Sequence, residues 1–238
     1  MSKSENHSKE NEKAAPAASD TALMKSSVED LQGWLASLSD TELMEWNRLP
    51  DIGLYMDQVL TLMDRQLAFY RRSDEDRLLT QPMINNYTKD GLLPRATDKK
   101  YTQGHLALLS ILCSLKPVLS ISDLSALLKY THIRKDDREI YDFFLRTQET
   151  ALEDSRADLS PRLAELLSAP VSVESGQSVQ DAYHQELALM ALRMALEARV
   201  RIMMTQKILD MLNPPEKATE RKAEKRAERH PEKEQKNG

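Results

Sequence analysis

Apolar residues recur along this chain at intervals of three and four, separated by capping residues and prolines, and that pattern predicts a succession of helices. Ser26-x-x-Glu29 and Ser39-x-x-Glu42 read as capping boxes. The first opens a helix with Trp34, Leu35 and Leu38, the second a helix with Leu43, Met44 and Trp46, and Pro50 closes the hairpin. A longer helix is expected from about Tyr55 to Arg72, with Val59, Leu60, Met63, Leu67 and Tyr70 on its buried stripe. Thr80, Pro82 and Gly91 bound a short helix: Thr80 fits an N-cap, Pro82 a first turn and Gly91 the left-handed position past the end. Met83, Ile84 and Tyr87 form its apolar face, which leaves Gln81, Asn85, Asn86 and Lys89 pointing outward.

After Pro94, residues Arg95 to Tyr101 have the length of a two-stranded loop. Thr102-x-x-His105 caps a leucine-rich helix that Pro117 stops, and Ser120 to Asp123 open the next. Asp136 and Asp137 precede a helix carrying Ile140, Tyr141, Phe143 and Phe144. Ser160-Pro161 reads as the start of a further short helix, residues 170–177 as a loop, and Ser178-x-x-Asp181 as the cap of an unbroken run to Leu212. From Leu187 to Leu196 that run is apolar on nearly every side, so more than one face must be covered. It lacks a clean heptad, which argues against a parallel coiled coil. Met190, Met194, Met203, Met204 and Met211 read as core or as a dimer seam.

Composition narrows the class. The 238 residues hold six glycines and no repeated strand-like alternation, so the expected fold is mainly all-α. With the single Cys113, read as a buried hydrophobe, an intramolecular disulfide and a cysteine zinc cluster are both ruled out. A cytoplasmic location is expected, with no signal-peptide-like segment at the start and no membrane span. Residues 1–25 and 214–238 read as charged tails, the latter without a single Val, Ile, Leu, Met or aromatic residue.

Between the tails the expected divisions are a helical hairpin (26–50), a central domain (51–135) and a helical C-terminal region (136–213) serving dimerisation or an effector. The formal charge of −5 is uneven, at −4 over 1–50, +3 over 51–135, −6 over 136–212 and +2 over 213–238. An anionic partner therefore points to the central domain.

The order of helix, short helix, basic loop, helix, short helix resembles the winged helix-turn-helix domain of the MerR family of transcriptional regulators. The resemblance is carried by YTKDGLL (87–93), KKYTQGHL (99–106) and LSISDLSALL (119–128). More closely, IGLYMDQVLTLMDRQL, LTQPMINNYTKDGLLP and KKYTQGHLALLSILCSLKPVLSISDLSALL, within about 52–150, look like the bacterial family called domain of unknown function 1836. The MerR likeness implies a domain with a small β-wing, double-stranded DNA as partner and a homodimer. Where MerR proteins carry an Arg followed by two Tyr, this chain has Asn85, Asn86 and Tyr87.

The residues make a physical case of their own. Asn and Gln can pair bidentately with adenine in the major groove, so Gln81, Asn85 and Asn86 are the expected base readers. Lys89, Arg95, Lys99 and Lys100 would hold phosphates, and Tyr101 would either donate to a phosphate or pack the wing. The rival reading is a protein-binding module on the same scaffold without DNA.

No enzyme is expected. His7, His105, His132, His184 and His230 are scattered without metal-ligand spacing, and no phosphate loop or nucleophile elbow is present. No catalytic residue, metal or cofactor is therefore assigned, and an effector is left unnamed.

Overall fold

A computed structural model describes residues 15–38, 43–73, 75–133, 135–169, 171 and 177–212 of the chain. Among the described residues seven α-helices follow one another: α1 (Ala15–Ser37), α2 (Met56–Gln66), α3 (Gln81–Lys89), α4 (Gln103–Leu115), α5 (Ile121–Thr131), α6 (Asp137–Ser168) and α7 (Val179–Leu212). Among the described residues there is no strand, only two isolated antiparallel bridges, Leu54 with Tyr101 and Thr97 with Lys100. The mainly all-α expectation holds, and the expected β-wing is present only as those bridges.

Two compact units divide the described chain. One comprises α1 with residues 147–196, the other residues 43–146 with 197–212. In the first unit, Met24, Val28 and Leu35 of α1 share an apolar cluster with Leu159, Leu163, Leu166 and Tyr183. Tyr183 is fully buried, and its hydroxyl donates to the Leu166 carbonyl.

Several boundaries differ from the sequence reading. Ser26 lies inside α1 and is not its cap, because the stretch Ala15 to Ala18 favours helix and Pro16 falls in the first turn, where its missing N–H is harmless. The second box, Ser39 to Glu42, lies outside the described residues, as do residues 1–14 and 213–238 and most of the 170–177 segment. Trp46 to Arg48 form a single 3-10 turn where a longer helix was expected. Leu43 and Leu49 are both buried on either side of it, and the Gln103 amide donates to the Trp46 and Leu49 carbonyls, taking up polar groups that a continuing helix would have used.

The helix expected to reach Arg72 stops at Gln66 and passes into a 3-10 turn over Ala68 to Tyr70. Arg71 folds back to the side chain and carbonyl of Asp64, which ends the run. At the other end of the chain, Pro161 sits inside α6, so no break occurs at Ser160. Leu159, Leu163 and Leu166 all lie in the core of their unit, and that burial offsets the one backbone hydrogen bond a proline removes.

The second unit has the larger core. Val59, Met63 and Leu67 from the α2 region, Ile84 and Tyr87 from α3, Leu106, Leu109 and Leu112 from α4, Leu124 from α5 and Tyr141 from α6 are its most deeply buried members. Leu209 of α7 also belongs to this core. Cys113 lies within it as expected, and burial pushes its thiol pKa up to about 12. Tyr141 donates its hydroxyl to the Met44 carbonyl at 2.8 Å and meets Trp46 edge to face, tying α6 to the segment before α2. The expected boxes at Ser120–Asp123 and Ser178–Asp181 are both formed.

Candidate nucleic-acid interface

Both ends of α3 are fixed by its sequence. Thr80 occupies the N-cap in an extended conformation, although its side chain makes no capping bond, and proline is in the first turn. At the C-terminus Gly91 has φ +76°, the Leu92 N–H reaches the Tyr87 carbonyl at 2.8 Å and the Gly91 N–H reaches Thr88 at 3.2 Å. Those two bonds form a Schellman motif, with Leu92 and Tyr87 both buried as its apolar clasp. Ile84 and Tyr87 turn inward. The Tyr87 hydroxyl finds no hydrogen-bond partner, and burial raises its pKa to about 12.

Opposite that buried face, Gln81, Asn85, Asn86 and Lys89 are all exposed. At 100° per residue they fall on one side of the helix. Among the described residues none of their side chains makes an intramolecular hydrogen bond or ion pair.

The basic segment that follows is a tight turn. Asp98 and Lys99 both have positive φ, 50° and 64°, and the Lys100 N–H closes on the Thr97 carbonyl at 2.9 Å. Two successive left-handed residues are the pattern of a type I′ hairpin turn, usually filled by Asn-Gly. A lysine in that conformation costs on the order of 1–2 kcal/mol relative to glycine, and it holds a cation at the tip of the turn. Arg95, Lys99 and Lys100 are exposed.

Tyr101 is placed differently from its exposed neighbours. It is only 7% exposed, pairs with Leu54 through two backbone bonds of 2.9 and 2.8 Å and packs edge to face on His105. It therefore anchors the basic turn to the residues before α2, the packing alternative of the two considered for it.

Two residues missed by sequence reasoning shape this surface. The Lys100 ammonium lies 5.7 Å from the centre of the half-exposed Tyr55 ring, a cation–π contact that orients it. Gly53 makes room for that lysine, since a Cβ there would sit 2.8 Å from the Lys100 Cβ. Their signal was invisible in the sequence because Tyr55 reads as the first residue of a helix stripe and its partner lies far along the chain.

His105 completes the cap of α4, as its spacing from Thr102 suggested. Its Nδ1 accepts from the Thr102 N–H at 3.1 Å, with the Thr102 hydroxyl 2.8 Å away, which leaves the ring proton on Nε2. Burial holds its pKa below the ordinary 6.5, against the Pro94 and Arg95 carbonyls, which favour the charged form. Because the folded-state pKa is depressed, the unfolded chain takes up the proton first. The stabilisation is complete above pH 6.5 and is lost as pH falls below it. Thermal unfolding at pH 7.5 and pH 5.5 checks this: His105→Gln keeps a capping acceptor and is expected to show a smaller acid loss in Tm than the wild type, an equal loss counting against the assignment.

Among the described residues no group of three or more His, Cys, Asp or Glu side chains is arranged to hold a metal ion, and no helix is long and apolar enough to cross a membrane. No curated protein and no solved structure matches the chain. Residues 44–147 match the family model described as Domain of unknown function (DUF1836), a span that holds α2 to α5 and the first part of α6. The α3 face and the basic turn after it both lie within the span that is similar to that family.

Proposed function

We propose that the central domain binds double-stranded DNA as a MerR-like winged helix-turn-helix module of a transcriptional regulator. In this reading α3 enters the major groove, and the turn over Thr97 to Lys100 is a wing reduced to its hairpin turn. The observation that carries the reading is the face of α3. Three amide side chains, Gln81, Asn85 and Asn86, stand exposed without intramolecular partners on a helix bounded at both ends, beside Lys89, Arg95, Lys99 and Lys100. Asparagine lowers helix propensity, and Asn85 and Asn86 gain nothing there from packing. Their amide groups match the N6 and N7 edge of adenine, while the cations match phosphates.

Gel-shift titration of Asn85→Ala on an enriched cognate site and on random duplex tests the base-reading role. The expected loss is about 1–3 kcal/mol on the cognate site with little change on random DNA. Equal losses on the two would remove Asn85 from the readers.

A further inference from the structure

A groove of about 680 Å³ opens between the C-terminal end of α3, the side of α4, the last turns of α5 and the start of α6. That volume falls in the range of small-molecule sites. Its floor is apolar: Leu92, Leu93, Leu108 and Leu128 line it, and all four belong to the core of the central unit. Two hydroxyls stand on its walls. That of Thr88 donates to the Ile84 carbonyl at 3.0 Å, whereas that of the exposed Ser125 makes no hydrogen bond among the described residues.

The charges around the groove set the class of molecule it suits. Four lining side chains can carry charge, Arg95, Lys129, His132 and Asp137. Two of them hold each other: the His132 ring places Nδ1 2.7 Å from the Leu128 carbonyl and Nε2 2.8 Å from Asp137. The second oxygen of Asp137 packs against Gly104, where a Cβ would collide with it. Arg95 and Lys129 are left without a carboxylate partner among the described residues, the Lys129 ammonium lying 5.3 Å from the centre of the Tyr130 ring. An aromatic face orients a cation without neutralising it. An apolar floor bordered by two unneutralised cations is complementary to a molecule with an apolar body and an anionic group.

We propose that this groove binds a small amphipathic organic anion, its acid group on Arg95 and Lys129 and its apolar body on the leucine floor. The Ser125 hydroxyl supplies a further donor. Of the residues proposed to contact DNA, only Arg95 lines the groove, so the inference stands without DNA binding and its test contains no DNA.

The probe is anilinonaphthalene sulfonate, an aryl anion whose fluorescence rises as it leaves water, titrated into the full chain. Phenylnaphthylamine, the same aryl body without the sulfonate, is the uncharged control. The sulfonate is expected to fill one strong site and to bind it at least about tenfold more tightly than the amine, the worth of one charge-assisted contact. Exposed apolar side chains elsewhere, Met203 and Met211 among them, also take up dye, so variants locate the strong site. Ser125→Trp fills the groove from an exposed position and is expected to abolish that site. Arg95→Gln combined with Lys129→Gln is expected to weaken the sulfonate about tenfold and to leave the amine as it was. All three side chains are exposed, and the circular dichroism spectra of the variants should match the wild type. The absence of a strong site, an amine bound as tightly as the sulfonate, a site that survives Ser125→Trp, or wild-type affinity for the sulfonate in the double variant would each overturn the inference.

Discussion

Replacing Lys99 and Lys100 together by alanine is expected to weaken binding to every duplex alike and to flatten its salt dependence. Each phosphate contact releases condensed counterions and contributes about 0.9 to the slope of log K against log salt, so losing two should reduce that slope by about 1.8. Sequence preference should survive, because neither lysine lies on α3. The turn complicates the substitution, since Lys99 has φ 64° and alanine is no more at ease there than lysine. Lys99→Gly combined with Lys100→Ala separates the two effects: it relieves the left-handed backbone while removing the same two charges. The same reduction in slope with glycine as with alanine assigns the loss to charge. A slope restored by glycine would assign it to turn geometry, and gel shifts at four salt concentrations resolve the difference.

Ile84→Ala is expected to cost the central domain about 2–5 kcal/mol, the usual range for truncating a fully buried aliphatic side chain. Ile84 is 0% exposed on α3, and the side chain fastens the helix to the core of its unit. Asn85, the next residue, is exposed, and Asn85→Ala should change stability by less than about 0.5 kcal/mol. Urea unfolding followed through Trp46 checks both, in a Trp34→Phe background that silences the exposed tryptophan of the other unit. Comparable losses for the two variants would mean that α3 is not seated as described.

The helices of the central domain were legible because their punctuation is local. Pro82 and Gly91 bound α3 from within eleven residues, and the boxes at Thr102 and Ser120 are made by side chains three positions away. Periodicity found the buried faces for the same reason. What misled was tertiary. Ser160-Pro161 reads as the start of a separate short helix, and only the burial of Leu159, Leu163 and Leu166 in a cluster shared with α1 shows why α6 runs through it unbroken.

The candidate surface divides along the same line. The outward face of α3 follows from counting residues. The pairing of Tyr101 with Leu54, the seat of Lys100 on Tyr55 and the clearance at Gly53 all join residues more than forty positions apart, which no local pattern encodes. The wing shows a third case: seven residues with three cations suggested two strands, whereas Thr97 bridges Lys100 and the next residue, Tyr101, pairs outside the loop with Leu54, so only isolated bridges form.

Duplex binding by the intact chain tests the DNA reading most directly. The purified protein is mixed with sheared genomic DNA at about 50 mM and about 200 mM salt, and retained fragments are sequenced. The expected result is strong retention at the lower salt, a steep decline at the higher, and enrichment of a common site, palindromic if two copies bind together. No retention of duplex at the lower salt, or retention without salt dependence, would contradict it.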